Sequence, residues 1–166
     1  MSAIIHSYLV LSQLRDELST YFSDELATIT GSNTATGSIT VPTLTLPSTY
    51  TVTKDTAGMA GTYLNLYLRE PLEEFDEWAN RRDTKLPCRA EVHFRVGPAT
   101  RERAYTYGLL YARALDETLV VHLSGTSAHQ IDVLEGNCVT GEGQQRFMST
   151  AFLDFDVWVA TERRDT

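Results

Sequence analysis

The chain has 166 residues, of which 42% are hydrophobic and 22% are charged, and its formal net charge is −8. These fractions are typical of a soluble globular protein and exclude a chain that is disordered throughout. The negative charge argues against a protein that holds duplex DNA or an anionic membrane through phosphate neutralisation, and no apolar run approaches the roughly 20 residues needed to cross a bilayer.

The first predicted element is an amphipathic helix that is capped by Ser2 and ends near Ile29, where Thr30-Gly31-Ser32-Asn33 supplies turn residues. Its apolar residues recur at three- and four-residue steps, so they form one stripe. They are Ile4, Tyr8, Leu11, Leu14, Leu18, Tyr21 and Phe22.

A threonine-rich segment follows, and within it we predict an extended β arm or loop over residues 31–62. Its apolar residues are Ile39, Val41, Leu44, Leu46, Tyr50 and Val52. Pro42 and Pro47 favour edge strands or a bend, because proline cannot donate to a ladder. An isolated hairpin arm would leave an unpaired edge. We therefore expect the arm to pair with other copies, and we expect deletion of residues 37–55 to leave a folded monomer.

Alternation of apolar and polar residues predicts strands over residues 63–69, 86–96 and 152–160. Residues 70–85 are highly charged and carry Leu72, Phe75 and Trp78 at helical spacing, which indicates a short helix or an ordered loop. A second main helix begins after Pro98. Short strands are predicted over 118–123 and 130–134, with a turn at Gly136-Asn137. The sequence thus predicts one α+β domain, residues 1–166, with a mainly antiparallel sheet, two main helices on one face and a protruding β-hairpin arm.

No set of residues identifies a reaction, so we predict a protein that is not an enzyme and needs no cofactor or metal. The four histidines have no ligand spacing, and the acidic residues between Glu70 and Glu77 are interpreted as a solvated face. The loop from Ser124 to His129 contains hydroxyls near His122, but nearness in sequence does not produce triad geometry. Cys88 and Cys138 are interpreted as two reduced cysteines.

Three outward-facing aromatic residues, Tyr63, Tyr67 and Trp158, are the other candidates for function. Tyrosine and tryptophan are enriched at binding hot spots, so these residues are predicted to lie at a subunit interface together with the apolar residues of the arm. Ordinary packing beneath a helix or the arm is the competing interpretation. A platform on which ligand rings stack is a further alternative, in which the chain is a β-rich carbohydrate- or peptide-binding module.

In the order and size of its elements the chain resembles the tail-terminator and head–tail joining proteins of long-tailed bacteriophages. The resemblance runs from the first helix (4–9) and the β arm through the strand 90–96, the helix 104–110 and the strand 152–159. It implies a structural virion protein that assembles in the host cytoplasm as a ring, expected to be hexameric. The ring would terminate the tail tube and join it to the head connector, with DNA passing through the lumen unbound and no membrane involved. It implies no catalytic residue. Another phage neck or minor tail protein is the nearest alternative.

Overall fold

A computed structural model describes residues 2–32, 44–55, 59–78, 81–95, 104–123, 130–140 and 148–162. The helices are α1 (Ser2–Ser32), α2 (Ala104–Glu117) and a π-helix (Thr118–Leu123) that continues α2 directly. The strands are β1 (Thr49–Val52), β2 (Tyr63–Leu68), β3 (Glu73–Trp78), β4 (Arg81–Arg95), β5 (Gln130–Thr140) and β6 (Met148–Glu162).

The six strands form one sheet in the order β1-β2-β4-β6-β5, and β3 pairs with β4 outside this path. β1 runs parallel to β2, whereas every other pair is antiparallel. β4 and β6 have 15 residues each and pair along their full length, so they form the central ladder. The predicted α+β class with a mainly antiparallel sheet is confirmed.

Both helices cover one face of this sheet, as predicted. α2 packs on β4, β5 and β6, while α1 packs on α2, β1 and β2. The side chains on this inner face alternate along each strand with those of the outer face. The inner-face residues with no exposed surface are Leu64, Leu66, Leu86, Cys88, Ala90, Val92, Ala151, Phe155 and Val157.

The apolar stripe of α1 forms the other half of the core. Leu14, Leu18 and Phe22 are fully buried, and burial of such a side chain contributes about 1.5–3 kcal/mol. Tyr8 was predicted on the same stripe but is 59% exposed. Leu26 lies at the same angle on the helix as Tyr8 and is buried, so the exposure of Tyr8 reflects its place near the start of the helix and not its place on the stripe. The helix also extends to Ser32, beyond the predicted end near Ile29.

The prediction of a helix or loop over residues 70–85 was wrong. β3 and the start of β4 form an antiparallel pair in which Glu73 lies opposite Lys85. The Nζ of Lys85 is 3.0 Å from Oε2 of Glu73. The helical spacing of the apolar residues was coincidental, because pairing with the long strand β4 decides the local structure.

Two further predictions on the C-terminal half were also wrong. Residues 118–123 form the π-helix and not a strand, because the chain continues from α2 with Thr118 Oγ1 donating to the carbonyl oxygen of Ala114 at 2.7 Å. Gly136-Asn137 is not a turn, because β5 continues through it to Thr140. A register shift between Val133 and Glu135 leaves Leu134 as the extra residue of a bulge.

The described part of the predicted arm, residues 44–55, lies against its own chain. Leu44 is buried in the core, and the hydroxyl of Tyr111 donates to the carbonyl oxygen of Thr45 at 2.7 Å. β1 adds to the sheet beside β2, and in the described part of the segment it pairs with no other strand. Ile39 and Val41 lie outside the described residues. Among the helices of the described ranges, none combines the length and the apolar character required to span a membrane.

Candidate functional site

The outer face of the sheet carries a network of polar side chains on β2, β4 and β6. At its centre the carboxylate of Glu91 accepts hydrogen bonds at both oxygens. The hydroxyl of Tyr67 donates to Oε1, and Nε2 of His93 lies 2.9 Å from Oε2. The other ring nitrogen of His93, Nδ1, is 3.0 Å from Oγ1 of Thr150 on β6. Residues from three neighbouring strands are thereby connected in one chain of hydrogen bonds.

The electrostatics of this network follow from its partial burial. Burial opposes ionisation of Glu91, but hydrogen bonds from His93 and Tyr67 outweigh it and lower the pKa of the carboxyl group. For Tyr67, burial and then the hydrogen bond to Glu91 raise the pKa to about 12. The tyrosine therefore stays protonated and acts as a donor.

Two ion pairs flank the network and neutralise its arginines. Arg89 donates from Nε and Nη2 to the two carboxylate oxygens of Asp154 at 2.6 and 2.9 Å, a bidentate geometry. Its guanidinium also lies 4.2 Å from the ring centroid of Phe152. Arg69 donates to Asp156 at 2.8 Å. Neither guanidinium is left with an unpaired charge that would attract an anionic ligand.

The order hydroxyl, imidazole, carboxylate in Thr150, His93 and Glu91 is the order of a nucleophilic triad, but the surroundings do not support that chemistry. Such a triad needs backbone N–H groups that point at a developing oxyanion. Thr150 lies in β6, a central strand that is paired with β4 on one side and β5 on the other, so its backbone groups belong to the ladders. The ring of Tyr63 also covers His93, with centroids 4.6 Å apart. The arrangement is best explained as a cross-strand polar network that fixes register.

The other chemical candidates of the sequence give no site in the described residues. The loop from Ser124 to His129 lies outside them, and no group of three or more potential metal ligands occurs within them. Cys88 and Cys138 are both buried and free. Burial raises the pKa of Cys88 to about 12 and that of Cys138 to about 11, which makes both thiols poor nucleophiles.

The predicted interface residues of the arm differ in their surroundings. Ile39 and Val41 are not described. Leu44 is buried, whereas Tyr50 and Val52 are half-buried on the inner face of β1. Leu46 is the exposed member of the set, with 49% of its surface accessible.

The three predicted aromatic residues do share the outer face, but they do not form an open platform. Tyr63 is only 5% exposed. The ammonium group of Lys54 lies over the ring of Tyr67, 5.7 Å from the ring centroid. Trp158 is half-buried and its Nε1 donates to Asp132 at 3.0 Å. Packing with local partners, the competing interpretation, describes Tyr63 and Tyr67 better than a stacking surface does.

A different surface, which the sequence did not reveal, is the edge formed by β5. β5 is the last strand in the order of the sheet. On it, the accessible fraction of the surface is 55% for Leu134 and 61% for Val139. A cavity of about 360 Å³ lies between α2 and residues 133–136 of this strand. The cavity is lined by Leu109, Ala112, Arg113, Asp116, Val133, Leu134, Glu135, Gly136 and Leu153. The sequence signal for this surface is Gly136, whose turn chemistry predicts a break in the chain, whereas in the structure it continues β5 and lines the groove.

Within the described residues, the surface that is most open to a partner is therefore this edge with its groove. A search for known protein families and for similar curated proteins found no match to this chain.

Proposed function

We propose that the chain is a structural virion protein that forms a ring at the head-proximal end of a phage tail. The ring terminates the tail tube and joins it to the head connector. The observation that carries this proposal is the exposed edge of β5 on an otherwise acidic protein. Leu134 is accessible at the groove beside Leu109 of α2, and Val139 is accessible on the outer face of the sheet. Exposed apolar side chains along a sheet edge are typical of a surface that another subunit covers.

The resemblance to tail-terminator proteins supplies the kind of assembly, and the sheet is compatible with it. A ring uses two different surfaces on each subunit, since every contact joins unlike faces. In the described residues the sheet ends in two unlike strands, β1 with four residues and β5 with 11 residues. The alternative of a binding module with an aromatic platform is less well supported, because Tyr63 is buried.

Removal of the whole arm does not test this proposal cleanly. Residues 37–55 include β1 and the buried Leu44, so deletion would open the core as well as remove a contact surface. Such a deletion is therefore not expected to leave a folded monomer, and single substitutions are the better test.

The experiment is light scattering on the intact chain during size-exclusion chromatography, followed by negative-stain microscopy. We expect a particle of about six times the 18.6 kDa chain mass, seen as a ring with a central hole. Leu134→Glu should shift the protein toward the monomer, because it places a charge in the contact. Ser19→Glu adds the same charge at an exposed position of α1 and should leave the ring intact. A monomer from the unaltered chain at high concentration would refute the proposal.

A further inference from the structure

The two ends of the sheet offer complementary partners for one another. Within the described part of the chain, β1 and β5 each have a single strand neighbour, so each presents backbone N–H and C=O groups along its other side. We propose that β1 of one copy pairs with β5 of the next copy, which continues the sheet from subunit to subunit. This inference rests on the ring proposed above and names the two surfaces that meet.

Charge favours β1 of a second copy as the strand that pairs with β5. A net charge of −8 makes two copies repel each other over most of their surface. β5 carries Asp132 and Glu135 and no basic residue, so it would repel another acidic strand. Residues 26–53, which include β1, contain no charged side chain. Apart from β5, the edge strands of the described sheet are β1 and β3. β3 is strongly acidic, whereas β1 has no charged residue and can approach β5 without a like charge opposite.

The strand directions are also compatible with this pairing. β1 runs parallel to β2, β2 is antiparallel to β4, and two further antiparallel steps lead through β6 to β5. β1 and β5 therefore run in opposite directions. Copies that are related by rotation about an axis along the strands would meet in an antiparallel junction, the pairing used by most of this sheet.

The register of the sheet predicts which residues meet. One row across the sheet connects Thr49, Tyr63, His93, Thr150 and Val139. A second row, three residues along β1, runs from Val52 through Leu66, Ala90 and Leu153 to Gly136. If neighbouring copies stand at the same height, Thr49 of one copy lies opposite Val139 of the next, and Val52 lies opposite Gly136.

This register places an apolar side chain where the structure has room for one. Val52 faces the inner side of the sheet, packed with the core of its own chain. Gly136 lies beside the cavity of about 360 Å³ between α2 and β5, and Ala112 and Leu153 form part of its wall. A Cβ built at Gly136 would lie 3.1 Å from Cδ1 of Leu153 and 3.6 Å from Cβ of Ala112. The absence of a side chain at 136 keeps this groove open for the residue that faces it.

The pairing also explains the exposure of Val139. A β-branched side chain that is 61% exposed on a strand edge has no partner in its own described chain that covers it. Opposite Thr49 it would form a cross-strand pair of two β-branched residues on the outer face, which is a favourable combination in antiparallel sheets.

The test is a cysteine pair across the junction. In the variant Thr49→Cys/Val139→Cys, the two Cα atoms of neighbouring copies would be about 4.5–5.5 Å apart, which lies within the range of disulfides. Mild oxidation with copper phenanthroline should yield a ladder of covalent oligomers on a non-reducing gel. The control Thr49→Cys/Gln130→Cys places the second thiol at the far end of β5 and should give little product. The native thiols are buried in both variants.

The outcomes separate this inference from the proposed ring. A ladder specific to position 139, from a protein that light scattering shows to be a ring, supports both. A ring that yields no ladder, or equal ladders from positions 139 and 130, overturns the strand pairing and leaves the ring standing. A monomer overturns both.

A substitution in the groove provides a second readout. Gly136→Val fills the space that the inference assigns to Val52, and it should weaken assembly by about tenfold or more in subunit concentration, the change that corresponds to about 1.4 kcal/mol. The exposed position Gln130→Val on the same strand is the matched control. Unchanged assembly of a folded Gly136→Val variant would contradict the assignment.

Discussion

Gly108 on α2 is the position at which the structure makes the sharpest prediction about stability. A Cβ at this position would lie 2.0 Å from Sγ of Cys138 and 2.6 Å from its Cβ on β5. Carbon atoms in contact are separated by about 3.5–4.0 Å. The helix lies against the strand at a distance that only glycine permits, and Gly108→Ala must push the two elements apart.

The magnitude is a balance of two effects. Alanine stabilises a helix interior by about 1 kcal/mol relative to glycine. Overpacking of a tight contact costs about 1–3 kcal/mol and occasionally more. The overlap with Cys138 involves Cβ, which is fixed to the backbone of β5, so side-chain rotation cannot relieve it. The cost should therefore lie in the upper part of its range, about 2–3 kcal/mol. After the gain in helix propensity is subtracted, we expect Gly108→Ala to lower the free energy of unfolding by about 1–2 kcal/mol.

The assay is urea unfolding followed by circular dichroism. Arg113 lies at an exposed position of the same helix, so the difference in unfolding free energy between Arg113→Ala and Arg113→Gly measures the helix propensity alone. In a double-mutant cycle, Cys138→Gly should reduce the cost of Gly108→Ala, since it removes both atoms in the overlap. The close approach of α2 and β5 is refuted if Gly108→Ala raises the free energy of unfolding by the full difference between Arg113→Ala and Arg113→Gly.

Three further predictions concern the outer face and the buried thiols. Asp154→Ala should cost about 2 kcal/mol of unfolding free energy, because it leaves Arg89 without its bidentate acceptor; a cost below that of Asp132→Ala would contradict the role of the pair. Because folding raises the pKa of Tyr67 from 10.0 to about 12, the stability it contributes is present below pH 10 and is lost between pH 10 and 12. Tyr67→Phe should flatten that alkaline decline in unfolding free energy, and an unchanged slope would argue against the shift. Cys88 and Cys138 should react with Ellman's reagent at pH 8 only after unfolding, so rapid labelling of the native protein would contradict their burial.

The parts of the fold that could be predicted from sequence are those in which one residue pattern has one structural meaning. Alternation identified the inner faces of β2, β4 and β6, and Leu153, Phe155 and Val157 are buried as expected. The stripe of α1 was predicted for the same reason, apart from Tyr8 near the start of the helix. In these elements the apolar period matches the geometry of a strand or helix directly.

The failures occurred where long-range pairing overrides local pattern. Residues 73–78 have helical spacing, yet they pair with β4. Gly136 has turn chemistry, yet it continues a strand next to a groove. Thr118 and the valines that follow favour a strand by propensity, yet they extend α2 as a π-helix. No local rule shows which neighbour a segment will find, so these elements could not be assigned from the sequence alone.

The candidate site was the least predictable part, because its residues come together only through sheet order. Glu91 and His93 were visible as neighbours on one strand, but their links to Tyr67 and Thr150 depend on which strands flank β4. The β5 edge is likewise a consequence of topology.

The distribution of charge favours the edges of the sheet, and not its polar face, as the surfaces through which the proposed ring would assemble. On the outer face Arg89 is paired with Asp154, Arg69 with Asp156 and Lys85 with Glu73. A partner docked there would have to desolvate charged groups that are already paired within the chain. The desolvation penalty would then exceed the electrostatic attraction gained from the partner's charges. At β5 the unpaired groups belong to the backbone, which gains hydrogen bonds from an added strand without a buried charge. In the proposed ring the two surfaces have different roles for this reason: the paired face stabilises the subunit, and the open edge binds the next subunit.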